Sequence, residues 1–407
     1  MPRILRIINR FNLGGPTYNV AYLTKFLPPE YETLLVGGMP DESEGKSAHI
    51  LQNLGIEPLI INEMKRSISP EMDYVAYRKI RKLIREFKPD IVHTHASKAG
   101  ALGRLAASKE RVPVLVHTFH GHVFHSYFGK AQTYFYKSIE RRMAKMTDCI
   151  IAISEGQKEE LSGEHRICPA DKISVIPLGF DLERFWTDSE TKRQRFRDTY
   201  KLAEGQVAVG IIGRLVPVKN HMLFLDSAKN LWEKFPEKVR FFIIGDGEMR
   251  SQLLDYCNLI GLPAAYMPDD SSRFAVTFTS WINDADRAMA GLDIIALTSF
   301  NEGTPVSLIE AQAASKPVVS TRVGGIANIV RENETAFLSE VDNPGEFTEH
   351  LERLVLDNRL RMNMSLTGRA FVESRFHYNR LVKDTDLLYR RFMENKKVES
   401  KIFSALG

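Results

Sequence analysis

The chain has 407 residues, 43% of them hydrophobic, which is enough for a sizeable core and, at about 100 to 200 residues per domain, for two domains. Its 55 lysines and arginines outweigh its 51 aspartates and glutamates by only +4, too slight an excess to make nucleic acid the main partner. Three cysteines, Cys149, Cys168 and Cys257, share no CxxC spacing, which speaks against a disulfide framework and a structural zinc site and favours a reducing cytoplasm.

The N-terminal stretch Met1–Asn9 carries Arg3 and Arg6 where a signal peptide would need an apolar core. No stretch approaches the roughly 20 apolar residues of a bilayer span, so a cytoplasmic location is expected, with at most a peripheral contact at the inner face of the plasma membrane. Short β-branched runs then follow one another: ILRII near residue 4, TLLV near 33, PLII near 58, DIVHTH near 90, VLVHTF near 114 and DCIIAI near 148. Segments such as Tyr74–Phe87 lie between them with apolar residues at helical spacing, an alternation that predicts βαβ units and a parallel sheet.

Pro and Gly interrupt the pattern near Pro177–Trp186, and a second series opens after residue 205 with VAVGIIG, RFFIIG, AVTFTS, DIIALT and PVVST. The predicted fold class is therefore α/β, with two Rossmann-like doubly wound domains over residues 1–180 and 181–376. The last segment, about 377–407, is purely helical and cannot complete another βαβ unit. Packing back on the first domain is one way to bury it.

Candidate chemistry concentrates where strands meet loops. Asn12-Leu13-Gly14-Gly15-Pro16 falls between the first strand and a helix beginning near Thr17, where adjacent glycines let backbone N–H groups approach an anion. It is neither GxGxxG nor a P-loop, and a plain tight turn remains open. Six of the eleven histidines, His93, His95, His117, His120, His122 and His125, cluster in one stretch. Without an HExxH helix or a cysteine pair they do not read as a metal site. At strand ends, at least one is expected to contact substrate, while a structural role stays open for each.

In the second series, Gly213-Arg214-Leu215-Val216-Pro217-Val218-Lys219-Asn220 places two cations five residues apart beside a Gly turn, a pattern that suits a diphosphate. Gly245-Asp246-Gly247-Glu248 reads as a tight turn. The segment Thr298–Ala311 holds Glu302 in a loop and Glu310 about two turns inside a helix, with Thr304 expected at the N-cap and Pro305 in the first turn. Glu310 would then sit on an otherwise apolar face, where a charge needs a partner.

Over essentially its whole length the chain resembles the retaining GT-B glycosyltransferases of family 4, the glycosyltransferase group 1 type. The Glu302/Glu310 E-x7-E pair carries most of the resemblance. Gly14-Gly15, His120-Gly121-His122, IAISEGQKEEL, VIPLGFDLERF, GRLVPVKN and Gly324-Gly325 support it in the right order.

That resemblance implies a nucleotide sugar, UDP-linked by preference, bound in an interdomain cleft mostly by the second domain, with no cofactor and no metal. Arg214 and Lys219 would hold the diphosphate, Glu310 the ribose and Glu302 a hydroxyl of the donor sugar. Gly213, Gly303, Thr304 and Pro305 would lie near sugar and phosphate, and Ser280 near the base. Gly14 and Gly15 would meet the phosphate from the first domain, and His120 the sugar. The acceptor would be a glycan or glycolipid of bacterial surface polysaccharide synthesis, chosen by first-domain loops; the aromatic run His122–Tyr136 suits part of that site and core packing equally well.

The chain departs from the family at Asn220, where Gly is common after the Lys, and in a long Pro263–Arg273 stretch. Two other readings compete: a sugar-nucleotide 2-epimerase of the same fold and a non-catalytic nucleotide-sugar-binding protein. A DxD metal motif is confined to Asp284-Ala285-Asp286, at an expected helix start where acidic residues serve as caps. The basic faces Arg78/Lys79/Arg81/Lys82/Arg85 and Arg141/Arg142/Lys145 suit either anionic lipid or solvent.

Overall fold

Parallel strands covered on both faces read as near-continuous apolar runs, and the runs of this sequence form two such sheets. The computed structural model describes residues 1–12, 14–39, 48–65, 67–121, 130–282 and 284–406. Leu13, His122, His125 and the aromatic run through residue 129 lie outside the described residues. The first sheet contains β1 (Arg3–Arg10), β2 (Glu32–Gly38), β3 (Leu59–Ile60), β4 (Ile91–His95), β5 (Val114–Thr118), β6 (Cys149–Ala152) and β7 (Ile173–Val175). They pair in the order β3-β2-β1-β4-β5-β6-β7, every pairing parallel.

The second sheet contains β8 (Val207–Ile212), β9 (Val239–Ile244), β10 (Ala264–Tyr266), β11 (Val276–Ser280), β12 (Ile294–Leu297), β13 (Val318–Thr321) and β14 (Ala336–Ser339). Its order, β10-β11-β9-β8-β12-β13-β14, is parallel as well. Winding reverses between β1 and β4 in one sheet and between β8 and β12 in the other. These are the switch points outside whose carboxyl ends open α/β sheets bind ligands.

Contacts divide the chain into Met1–Phe180 with Phe376–Gly407, and Asp181–Arg375. In the first unit alternate residues of a strand face opposite ways, so Leu5, Ile7 and Val92 pack with Ile80 and Ile84 of the helix Pro70–Phe87. On the other face Ile4, Val114 and Val116 pack with Leu381, Leu388 and Tyr389 of the helix Tyr378–Leu406. The returning chain is pinned where it arrives: Phe180 N–H donates to the Phe376 carbonyl at 2.8 Å, and Tyr378 N–H to the Phe180 carbonyl at 3.0 Å. The second unit has one large core in which Val209, Ile211, Phe241, Ile243 and Ile294 meet Phe224, Leu351 and Leu354 from its helices.

No described helix is long and apolar enough to cross a membrane. The basic face of Pro70–Phe87 is largely engaged: Lys79 pairs with Glu63 and Arg81 with Glu110, each at 2.6 Å, and Lys82 lies 3.7 Å from Glu86. Arg141 donates to the carbonyls of His165 and Arg166 at 2.8 and 3.0 Å.

Candidate active site

Three loops, leaving the carboxyl ends of the adjacent strands β8, β12 and β13, are stitched together in the second unit. After β8 the chain passes Gly213 and Arg214 into the one-turn segment Pro217–Lys219, then into the helix His221–Lys234. Phe300 N–H donates to the Val218 carbonyl at 2.8 Å and Thr298 Oγ1 to the Lys219 carbonyl at 2.9 Å, which ties the β12 loop to the β8 loop. Thr321 Oγ1 donates to the Ser299 carbonyl at 2.7 Å, and Gly325 N–H to the Gly303 carbonyl at 3.0 Å, tying in the β13 loop. A charged site built on such loops is held by backbone groups and short hydroxyl side chains rather than by long side chains.

Gly324 explains why that last loop can approach so closely. Its φ is +51°, and a Cβ there would lie 1.8 Å from the Glu302 carbonyl oxygen, so only glycine fits. Gly245 plays the same part beside β8, because a Cβ on it would lie 1.9 Å from the Gly213 carbonyl oxygen. Asn220 has φ +48°, a left-handed position that Asn tolerates better than most residues. Its departure from the family's glycine therefore keeps the backbone path.

Lys219 Nζ donates to Glu302 Oε1 at 2.5 Å and Ser299 Oγ to the same oxygen at 2.6 Å. Arg214 is exposed, and among the described residues its guanidinium makes no hydrogen bond or ion pair. One cation is thus clamped at the carboxylate and another is open for an anion. His221, directly after this loop, is buried, and burial with the nearby Lys219 charge holds its imidazole down at about 4.

Glu310 does have the partner its apolar surroundings demand, Arg184 Nη2 at 3.1 Å. Burial pushes the Glu310 carboxyl above its usual range, and the Arg184 charge pulls it back. The helix bearing it differs from the expected one: it runs Val306–Ala313, with Pro305 at the cap position in an extended conformation and Thr304 before it. Proline's fixed φ suits either place, which is why the sequence pattern misplaces the start by one residue. Glu310 is accordingly the fifth helical residue, little more than one turn in.

Ser280 closes β11 in a left-handed conformation and donates from Oγ to Asp246 Oδ2 at 3.1 Å, joining the end of β11 to the Gly245–Glu248 turn. Trp281, next to it, is exposed. The Pro263–Arg273 stretch contains β10 and a single turn, Ser271–Arg273. Asp284 stands at the N-cap position of the helix Ala285–Gly291 without a side-chain capping bond, and Asp286 pairs with Lys192 at 2.7 Å, so one carboxylate of that DxD spacing is engaged in an ion pair.

In the first unit, Gly14 and Gly15 stand at the start of the helix Gly15–Phe26, two residues ahead of the expected start, and Thr17 N–H donates to the Gly14 carbonyl at 3.1 Å. His93, His95 and His117 are buried core histidines. His117 Nδ1 meets Thr94 Oγ1 at 2.8 Å. His120, half-buried just past β5, touches His95 at 2.9 Å. Burial lowers all four imidazoles, His120 to about 3. Sequence reading missed Arg184, Ser299 and Tyr389, whose roles depend on partners 126, 3 and 296 positions away. Of these only Ser299, inside the Glu302 segment, left a local signal.

Two Rossmann-like parallel-sheet units with ligand loops at their switch points define the GT-B class of glycosyltransferase. Residues 14–184 match the family model Glycosyltransferase Family 4, and residues 192–371 match Glycosyl transferases group 1. The chain is 32% identical over 343 residues to the Escherichia coli UDP-Gal:alpha-D-GlcNAc-diphosphoundecaprenol alpha-1,3-galactosyltransferase, covering 84% of this chain and 85% of that protein. It is 26% identical to the Staphylococcus aureus capsular polysaccharide biosynthesis glycosyltransferase CapM, covering 82% and 85%. Among solved structures, a Rickettsia africae glycosyltransferase superposes with a TM-score of 0.77 at 19% identity, over 97% of this chain and 99% of that one. Anabaena Alr3699/HepE in complex with UDP superposes with 0.74 at 19%, over 96% and 100%. The chain belongs to glycosyltransferase family 4, and it is a glycosyltransferase.

Proposed function

We propose that this enzyme is a retaining glycosyltransferase that moves a sugar from a UDP-linked donor to a lipid-linked glycan in bacterial surface polysaccharide or glycoconjugate synthesis, without a metal. The observation that carries the reading is the switch-point cluster of the second unit, where Lys219 and Glu302 pair on interlocked loops and the exposed Arg214 lies five residues before Lys219 on the same loop. Arg214 and Lys219 take the diphosphate, Glu302 a donor-sugar hydroxyl and Glu310 the ribose. Backbone groups of Gly213, Gly303 and Thr304 and the Pro305 helix start lie along sugar and phosphate, and Ser280 marks the base end. Gly14 and Gly15 approach phosphate and His120 the sugar. The E. coli relative, named for UDP-Gal and a diphosphoundecaprenol-linked GlcNAc, supports the donor and acceptor class, as does the UDP in the HepE structure.

The reaction requires the C1–O bond to the diphosphate to break while the acceptor hydroxyl oxygen bonds to C1 on the same face. The acceptor proton passes to the departing diphosphate, whose growing charge the two cations offset. Cationic side chains in place of a carboxylate cluster are what a metal-free departure needs.

The full chain, incubated with UDP-galactose or UDP-glucose and a GlcNAc-diphospholipid in chelator, tests the reading. An α-linked product, identified by NMR of the new anomeric proton, is expected. A β-linkage, activity lost in chelator and restored by magnesium, or an epimerised UDP-sugar formed without acceptor would overturn it.

A further inference from the structure

The first unit has a second charged place, where β6 and β7 begin, at the opposite ends of the strands from Gly14 and His120. Three separate segments enclose a pocket of about 390 Å³ there. Arg141 and Lys145 come from the end of the helix Lys130–Lys145, Arg166 from the loop after the π-helical turn Glu160–Glu164, and Lys172 from the residue before β7. Ile167 and Cys168 lie between them, buried, as an apolar floor. Four of the lining side chains are cations and none is a carboxylate.

The hydrogen bonds of these cations hold the pocket in shape without neutralising it. Arg141 donates from Nε to the Arg166 carbonyl at 3.0 Å and from Nη2 to the His165 carbonyl at 2.8 Å, which fixes the backbone of a second cation beside the first. Arg166 itself holds a left-handed backbone, φ +49°. Lys172 Nζ donates to the Lys145 carbonyl at 3.5 Å. The side chains of Lys145 and Arg166 make no hydrogen bond or ion pair among the described residues. A helix C-terminus favours nearby cations, but Arg166 and Lys172 stand outside the helix. Elsewhere in this unit cations meet carboxylates, as Lys79 meets Glu63, Arg81 Glu110 and Arg104 Glu140. Burial pushes the Cys168 thiol up to about 11, so the floor adds no negative charge at physiological pH. Like charges gathered without a counter-ion repel one another, and a bound anion turns that repulsion into attraction.

We propose that this pocket binds a phosphate group, with Arg141, Arg166, Lys145 and Lys172 around its oxygens and the organic part of the ligand against Ile167 and Cys168. Guanidinium forks and ammonium groups together match a phosphate's several acceptor oxygens. The ligand is a second one, distinct from the donor and the acceptor: β6, four residues and roughly 13 Å long, alone separates this edge of the sheet from the end where ligand loops emerge.

The pocket carries its own reporter. Cys168 lines it and is 9% exposed, against 1% for Cys149 and none for Cys257. The full chain is alkylated with iodoacetamide at pH 8.5, and each cysteine is followed by mass spectrometry. Inorganic pyrophosphate, compared with sodium chloride at equal ionic strength, is expected to slow Cys168 modification about threefold once present at twice its dissociation constant, with Cys149 unchanged. The double variant Arg166→Asn/Lys172→Gln should lose the protection and keep its transfer rate; Asn is chosen because it tolerates the left-handed backbone. Arg166→Lys, which keeps the charge, should keep the protection. Three results would overturn the site: no protection by millimolar pyrophosphate, equal protection of Cys149, or protection retained in a folded double variant. Vesicles of phosphatidylglycerol, compared with phosphatidylcholine, identify the source of the phosphate. Protection by pyrophosphate alone marks a soluble ligand, and protection by the anionic vesicles as well marks a lipid headgroup; both uphold the site.

Discussion

Lys219 and Ser299 both donate to the same carboxylate oxygen of Glu302, which leaves Oε2 with no hydrogen-bond partner among the described residues. The carboxylate is thus oriented by one edge and open at the other. A group that must accept from a substrate hydroxyl without rotating at each turnover needs this arrangement.

Glu302→Gln keeps the size of the side chain and puts an amide where one edge must accept from an ammonium. Turnover is expected to fall at least tenfold, with UDP affinity nearly intact. Lys219→Met removes a cation proposed to hold the diphosphate and strands Glu302, so kcat/KM is expected to fall by about 100-fold or more. Steady-state kinetics beside calorimetric UDP titration separates the two; equal loss of UDP affinity in both variants would contradict the division of roles.

Glu310→Ala should weaken UDP binding by about 10- to 100-fold, the worth of hydrogen bonds to a charged acceptor. Arg184→Ala leaves the carboxylate in place but removes the charge that pulls its pKa down against burial. The Glu310 carboxyl then rises further, and UDP affinity should weaken as pH falls from 8 to 5.5, more steeply than in the wild type. Calorimetry at the two pH values checks the sign.

The histidines make the first unit acid-sensitive. His93, His95, His117 and His120 have folded pKa values below the unfolded value of about 6.5, so the unfolded chain binds more protons below that pH. Stability is full above pH 6.5 and declines as pH falls toward the folded values, each histidine contributing up to about 1.4 kcal/mol per pH unit. Denaturation curves from pH 7.5 to 4.5 should show it, and His117→Gln should flatten the slope.

Gly324→Ala places a methyl group against the Glu302 carbonyl in a left-handed backbone. A cost of about 1–3 kcal/mol from the conformation alone is expected, before the clash, with turnover falling more than UDP affinity because it is the Glu302 loop that must move. Tm and kcat measured on one preparation test both halves.

The two sheets were legible because buried parallel strands leave unbroken apolar runs, and the site region because its glutamates and cations sit at strand ends within short segments. What stayed hidden depends on distance along the chain. Nothing near Arg184 signals Glu310, and nothing near Tyr389 signals His93, because each pair meets only after the sheets have formed. Gly324 was visible as half of a glycine pair, yet its reason, the Glu302 carbonyl against its α-carbon, belongs to another loop. The start of the Val306–Ala313 helix was off by one residue because Pro305 satisfies two adjacent positions equally well.

The helix Tyr378–Leu406 supplies the apolar wall of one face of the first sheet and the phenol that seats His93. On a ribosome this helix is made after all of residues 181–375, so the continuous second unit can complete its core while the first still lacks a face. Synthesis from the N-terminus therefore yields its earlier half last, in the reverse of the usual domain order. A nonsense mutation just before residue 378 would leave a whole second unit attached to an unfinished first one, exposing Ile4, Val114 and Val116 to chaperones and proteases.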